Sequence, residues 1–104
     1  MIKLSVLYPN EEGSTFDHEY YRKVHMPLAR EKFGQFGLIK TEIEKGVAGG
    51  APGSKPPFHC IGILYFDTVE QYQQCVAVHG AELRADFPNY TNVTPLRQFS
   101  EVVE

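Results

Sequence analysis

The acid–base chemistry that this sequence offers begins with His25. This histidine directly follows Val24, which belongs to an apolar stripe of the predicted first helix, so we expect the ring at the margin of that stripe. An imidazole titrates near neutral pH, and a neutral ring there is suited to take a proton from an acidic C–H or O–H group of a ligand. The alternative is a structural ring that bonds a backbone carbonyl freed by Pro27. These two interpretations carry about equal weight.

Tyr72 and His79 form a second candidate pair on the predicted second helix. The phenol suits donation to a developing oxyanion, and the imidazole suits proton abstraction. For His79 we favour the alternative of a core histidine with a hydrogen-bond partner, since buried polar groups normally have one. Either His25 or His79 would also serve as an axial haem ligand, but a lone histidine carries little information about haem.

The elements that must position these side chains can be predicted from hydrophobic periodicity. Asp17 is expected to cap the first helix, which should widen or kink at Pro27. Its apolar stripe comprises Phe16, Tyr20, Val24 and Leu28. A capping box at Thr68 and Gln71 begins the second helix, which we expect to run to about residue 86. Its buried face comprises Tyr72, Cys75, Val76, His79 and Leu83.

Four strands are predicted around these helices, over residues 2–8, 38–46, 58–67 and 95–103. The second is rich in charge, which suits an edge, and the third is apolar on both faces, which suits the centre of a sheet. Residues 46–57 are rich in glycine and proline and predict a flexible loop.

The resulting order, βαββαβ, predicts a single α+β domain over residues 1–104 with the ferredoxin-like fold. Right-handed crossovers place both helices on one face of a four-stranded antiparallel sheet, and the other face stays bare. Because the third strand is apolar on that face too, we expect a second copy of the chain to cover it. The prediction is an obligate homodimer whose two sheets enclose a barrel.

The loop before the last strand and the start of the third strand supply candidate ligand-binding residues. Asn89 and Tyr90 are expected at the mouth of the barrel, where loop residues often bind ligands, although Asn89 also suits a simple turn. His59 either points into the barrel or lies in solvent at the beginning of its strand. Cys60 and Cys75 are expected to be small core residues, and the histidines and cysteines have no zinc spacing.

Charge and hydropathy exclude several classes of function. Ten Lys and Arg against thirteen Asp and Glu leave no basic excess for binding nucleic acid. No apolar run approaches the roughly 18 residues of a membrane span, and the first residues do not form a signal sequence. We therefore expect a cytoplasmic protein that binds neither nucleic acid nor membranes.

Three segments resemble the EthD family, named for ethyl tert-butyl ether degradation, within the dimeric α+β barrel superfamily. They are residues 2–10 (IKLSVLYPN), residues 16–28, with FDHEYY followed by HMPL, and residues 86–91 (DFPNYT). The resemblance implies a ferredoxin-like protomer that pairs into a barrel. It also places His25 on the family's His-x-Pro motif. EthD itself accompanies a cytochrome P450 system for ether degradation, and related families include cofactor-free monooxygenases, muconolactone isomerase, polyketide cyclases and haem-handling enzymes.

Two functions remain open at this point. One is a small enzyme without a cofactor, an oxidoreductase, isomerase or cyclase that acts on a hydrophobic compound, with His25 as base and Tyr72 and His79 in support. The other is a non-catalytic accessory protein that binds a hydrophobic metabolite or assists a monooxygenase.

Overall fold

Four strands form one antiparallel sheet in the order β2-β3-β1-β4. A computed structural model describes residues 1–104. The strands are β1 (Ile2–Pro9), β2 (Lys40–Lys45), β3 (Phe58–Phe66) and β4 (Leu96–Glu101). With one helical segment before β2 and one before β4, this is the predicted ferredoxin-like α+β arrangement. The charged β2 lies at an edge and the apolar β3 lies inside the sheet, as their residue patterns indicate.

The first helix is continuous but irregular. Its three parts are α1 (His18–Tyr20), a π-helical turn (Tyr21–His25) and α2 (Met26–Phe33). Asp17 caps its start as predicted, accepting a hydrogen bond from the backbone N–H of Tyr20 at 3.0 Å. The N–H of Met26 bonds the carbonyl of Tyr21, five residues back. The helix therefore widens in the turn just before Pro27, which has no N–H with which to continue a regular pattern.

The wide turn corrects the predicted apolar stripe. Val24 was expected inside and is 44% exposed, whereas His25, expected at a margin, is 5% exposed. Because a π-turn accommodates an extra residue, the face that points inward shifts by one position. The buried residues of this helix are Tyr21, His25, Met26, Ala29 and Phe33.

The second helix, α3 (Val69–Ala85), agrees closely with its prediction. Thr68 accepts from the backbone of Gln71, and the side chain of Gln71 accepts from the backbone of Thr68, which completes the capping box. Cys75 and Leu83 are buried on its inner face. Neither helix has the length and hydrophobicity that crossing a membrane requires.

The core lies between the helices and one face of the sheet. Leu4 and Leu64 are paired across β1 and β3 and belong to the same buried cluster as Met26 and Cys75. Side chains of the alternate register positions face the other way, among them Leu7, Ile61 and Leu96. On this second face Leu96 is 58% exposed, whereas Ile63 is 1% exposed, so the face is open only in part in the protomer.

Candidate functional site

A cavity of about 560 Å³ lies between the two helices and the covered face of the sheet. Thirteen of the 18 residues that line it are hydrophobic, so the space suits an apolar molecule. The polar side chains on its wall, phenols aside, are His25, Gln73, Arg84 and Arg97. The candidate site is therefore a hydrophobic pocket with a few polar side chains in its wall.

His25 is anchored in this wall by Asp86. The Nδ1 atom of His25 lies 2.9 Å from Oδ2 of Asp86, and the other carboxylate oxygen accepts from Tyr20 and Asn89 at 2.6 and 2.9 Å. Both partners are largely buried, with 7% of the histidine side chain and 12% of the aspartate side chain exposed. Asp86 directly follows α3, so the cluster ties the end of one helix to the wide turn of the other.

The π-turn makes this convergence possible. Tyr20 and His25 are five residues apart, and in a regular α-helix such residues point about 140° away from each other. A π-turn brings residues with this spacing close to the same face, because its hydrogen bonds run from each residue to the fifth one before it. Both side chains thus reach the single carboxylate of Asp86.

The charge states of this pair fix the tautomer of the histidine. Burial lowers the pKa of His25, and the hydrogen bond to Asp86 only partly opposes this effect. Burial alone would raise the pKa of Asp86, but hydrogen bonds from Tyr20, Asn89 and His25 outweigh it and lower this pKa below its usual value. A carboxylate only accepts, so a neutral His25 donates from Nδ1 and keeps its lone pair on Nε2.

The Nε2 atom of His25 is the free nitrogen of a ring that lines the cavity. It has no hydrogen-bond partner, yet no buried side-chain nitrogen or oxygen lacks one, so Nε2 is accessible. His25 also belongs to the cavity wall. A neutral imidazole, oriented by a carboxylate and with a free lone pair, is the arrangement of a general base.

Two phenols contact the histidine, and a third contacts those two. The hydroxyls of Tyr8 and Tyr90 are 2.9 Å apart, the ring of Tyr21 stacks on that of His25 at 5.4 Å, and the ring of Tyr90 lies 4.7 Å from that of His25 and 5.2 Å from that of Tyr21. Burial raises the pKa of Tyr8 to about 12 and raises those of Tyr21 and Tyr90 as well. The phenols therefore stay protonated at neutral pH. Tyr8 and Tyr21 line the cavity, where a protonated phenol can donate to a ligand oxygen.

The structure does not bring the predicted pair Tyr72 and His79 together. Tyr72 lines the cavity, and its ring packs against Phe33, Phe66 and Phe99. His79 is absent from the cavity wall; its ring lies 6.0 Å from that of Phe36, and Nδ1 is 3.8 Å from Glu82. The side chains of Tyr72 and His79, two helical turns apart, therefore have different neighbours. The structure therefore places only Tyr72 of the predicted pair in the cavity wall.

Of the predicted ligand-binding residues, Asn89 and Tyr90 lie beside Asp86 and His25, and His59 lies near the start of β3. Tyr90 is buried on the helix side of the sheet against His25, and Asn89 is exposed and donates to Asp86. His59 does not point into a barrel: its ring stacks on Phe16 at 6.0 Å, and Nε2 lies 2.7 Å from the hydroxyl of Ser14. A register shift between Tyr8 and Pro9, opposite His59, interrupts the strand alternation on which that expectation rested.

Several residues of the site were not predicted to have a role. Asp86 is 61 positions from His25, and no spacing rule joins them; its one sequence signal is its place in the DFPNYT segment. Arg84 and Arg97 come to the cavity from different elements. The two cysteines, in contrast, are buried as expected, and burial raises the pKa of Cys60 to about 12 and that of Cys75 to about 11. No three His, Cys, Asp or Glu side chains cluster so as to hold a metal ion.

Comparison with known proteins identifies the family. The model of the EthD domain matches residues 12–94. An EthD-like protein of Ralstonia eutropha JMP134 is 40% identical, with a TM-score of 0.93 over 99% of this chain and 92% of that one. An ethyl tert-butyl ether degradation (EthD) family protein of Bacillus halodurans C-125 is 23% identical, with a TM-score of 0.63 over 97% of both chains.

A dimeric ferredoxin-like protein from an uncultured marine organism shares the fold, with 17% identity and a TM-score of 0.54 over 100% of this chain and 96% of that one. No curated protein matches the sequence. The family match covers most of the chain, including His25 and Asp86, and the 40% identical relative covers nearly all of it. The chain therefore belongs to the EthD family.

Proposed function

We propose that this protein is an enzyme that moves a proton on a small hydrophobic compound held in the cavity, in a cofactor-independent reaction of the isomerase or oxidoreductase type. The observation that carries the proposal is that His25 lines an apolar cavity with Nε2 unpartnered, while Asp86 lies 2.9 Å from the opposite ring nitrogen. Such a geometry is typical of a general base. π-Helical turns are also frequent at functional sites.

The chemical step follows from these positions. His25 takes a proton from a C–H group next to a ligand carbonyl, and the electron pair of that bond moves onto the carbonyl oxygen. Asp86 stabilises the imidazolium that forms, because it already accepts the Nδ1 proton. The hydroxyl of Tyr8 or Tyr21 donates to the oxygen that becomes negative. Return of the proton to a different carbon completes an isomerisation.

The experiment measures exchange of that proton with solvent. Small aromatic ketones that fit the cavity are incubated in D₂O with the protein, and deuterium uptake is followed by NMR. We expect the wild type to catalyse exchange, and His25→Gln and Asp86→Asn each to lower the rate roughly 10²- to 10⁴-fold, the range for loss of general base catalysis. His18→Gln, a histidine outside the cavity wall, is the matched control and should keep the wild-type rate.

The pH profile tests the same assignment. Only the neutral ring accepts a proton, so exchange should rise with pH through the pKa of His25 and then level off. Burial lowers this pKa, so the midpoint should lie below the usual value of about 6.5. A rate that His25→Gln leaves unchanged would exclude His25 as the base.

A second candidate function is binding without turnover, as an accessory protein to a monooxygenase system or a carrier of a hydrophobic metabolite. The observation in its favour is the apolar wall of the cavity, which is sufficient to hold a ligand. In that case His25, Tyr20 and Asn89 serve mainly to tie the two helices through Asp86. Ligand binding without proton exchange in the wild type would favour this function.

We also propose that the working unit is a cytoplasmic homodimer. The open face of the sheet carries Leu7, Ile61 and Leu96, and a second copy of the same face would cover it. The dimeric ferredoxin-like protein from an uncultured marine organism has the same fold. Cys60 and Cys75 are free thiols, which suits a reducing compartment.

A further inference from the structure

Two arginines border the cavity without a partner of opposite charge. Arg84 and Arg97 both contribute to its wall and both are exposed, so they lie at its mouth. Neither takes part in any of the protein's ion pairs or side-chain hydrogen bonds. No aspartate or glutamate lines the cavity, and His25 is neutral. The mouth of an otherwise apolar pocket thus carries two uncompensated positive charges.

Local structure directs Arg84 toward the cavity. It lies in the last turn of α3, one turn after Gly80, which is buried and also lines the cavity. A Cβ at Gly80 would be only 2.9 Å from Nη1 of Arg84. The glycine therefore leaves the space in which the guanidinium folds back along the helix. A larger residue at this position would push the guanidinium outward.

Arg97 reaches the same space from the sheet. It lies opposite Val6, a cavity residue, on the covered face of the sheet, and its guanidinium carbon is 5.9 Å from the centre of the Phe87 ring. Burial raises the pKa values of Tyr8 and Tyr21, and the charge of Arg97 opposes that rise, so the guanidinium acts on phenols inside the cavity. The ring of Phe87 is also 5.6 Å from that of His25.

We infer that the compound bound in this cavity is an apolar molecule with one carboxylate, whose body fills the pocket and whose carboxylate is held at the mouth by Arg84 and Arg97. This inference rests on the proposed function and adds the substrate class to it. Guanidinium groups bind carboxylates through charge-assisted, often paired hydrogen bonds. Because Phe87 adjoins both Arg97 and His25, a carboxylate at Arg97 places carbon atoms a few bonds away beside the base.

The test separates binding of the apolar body from recognition of the charge. The neutral fluorophore N-phenyl-1-naphthylamine reports occupation of the cavity, and it is displaced by 1-naphthaleneacetate or by 1-naphthaleneacetamide, which differ in charge at one end. We expect the acid to bind the wild type at least tenfold more tightly than the amide. In the double variant Arg84→Gln/Arg97→Gln this ratio should fall to about one while the affinity for the amide is kept. Arg22→Gln, an exposed arginine away from the cavity, should keep the wild-type ratio.

The remaining outcomes contradict either the carboxylate inference alone or the inference together with the proposed function. A ratio of about one in the wild type, or a high ratio that survives in the double variant, overturns the carboxylate inference and leaves the proposed function standing. If the fluorophore does not bind the wild type, the cavity is not a ligand site. Both the inference and the proposed function then fail.

Discussion

At the scale of single residues, the chemistry is concentrated in one carboxylate. Asp86 accepts hydrogen bonds from Tyr20 and His25 of the first helix and from Asn89, three residues after Asp86 itself. These bonds keep Asp86 ionised although it is largely buried, and an ionised Asp86 fixes the tautomer of His25. The free lone pair on the cavity side is a consequence of that single carboxylate. Neither side chain would be predisposed to base chemistry without the other.

The neutral state of His25 has a measurable effect on stability. Burial lowers its pKa in the folded state, so between that value and about 6.5 the unfolded chain binds a proton that the folded chain does not. We therefore expect the free energy of unfolding to have its full value above about pH 6.5 and to decrease as the pH falls through this window. Urea unfolding at several pH values measures the slope, and His25→Gln should reduce it. Equal slopes in the two proteins would show that His25 is not held neutral by burial.

At the scale of elements, the first helix approaches the central strand unusually closely. Gly62 lies in the middle of β3, and a Cβ there would overlap the hydroxyl of Tyr21, the first residue of the π-turn. A glycine in a strand often marks such a close approach. The absence of a side chain at Gly62 lets Tyr21 lie over the strand and stack on His25. The small residue in the strand and the large residue in the π-turn thus fit together in close contact.

This match can be tested by adding one methyl group. We expect Gly62→Ala to destabilise the protein by about 1–3 kcal/mol, the usual cost of overpacking a core. Tyr21→Phe removes the atom with which the new Cβ collides, so Gly62→Ala combined with Tyr21→Phe should cost less than the sum of the two single changes. Urea denaturation of the four proteins measures this coupling. Gly50→Ala is the control, because a Cβ there meets nothing within 4 Å, and it should change stability by less than about 0.5 kcal/mol. Additive effects would contradict the close contact.

At the scale of the whole molecule, the protomer is asymmetric. Its helices and its cavity lie on one face of the sheet, and the other face carries further apolar side chains, of which some, such as Ile63, are buried within the protomer and others are exposed. On that face Leu96 is 58% exposed, and Lys40 lies over the ring of Tyr65, whose hydroxyl donates to Glu42. A surface with an apolar centre and polar groups at its edge is typical of an interface between subunits.

We expect the protein to be a dimer at micromolar concentration. Light scattering should give twice the mass of one chain, and Ile61→Glu or Leu96→Glu should shift the mass toward that of a monomer, because a charge would be buried at the centre of the interface. Val78→Glu is the matched control, since Val78 is 61% exposed on α3, away from the sheet. Circular dichroism establishes that each variant is folded. A wild-type protein that remains monomeric would contradict the expected dimer.

The amino-acid sequence by itself determined the elements and their order. Strand alternation, the capping box at Thr68 and Gln71, and the cap at Asp17 depend on neighbours within a few residues, and all are present in the structure. The edge position of β2 and the central position of β3 also followed from local charge and hydropathy. Because these features depend on short-range physics, they can be predicted without knowing the rest of the fold.

Tertiary structure alone decided the site. Sequence patterns pointed to His25, but they placed it at a margin and paired Tyr72 with His79, whereas the fold buries His25 and joins it to Asp86 across 61 positions. Two causes are responsible, one within the first helix and one between distant elements. The π-turn moves the inward face of the first helix by one residue, and the packing of α3 on the sheet brings Asp86 to His25 and brings Arg84 and Arg97 to the cavity that His25 lines.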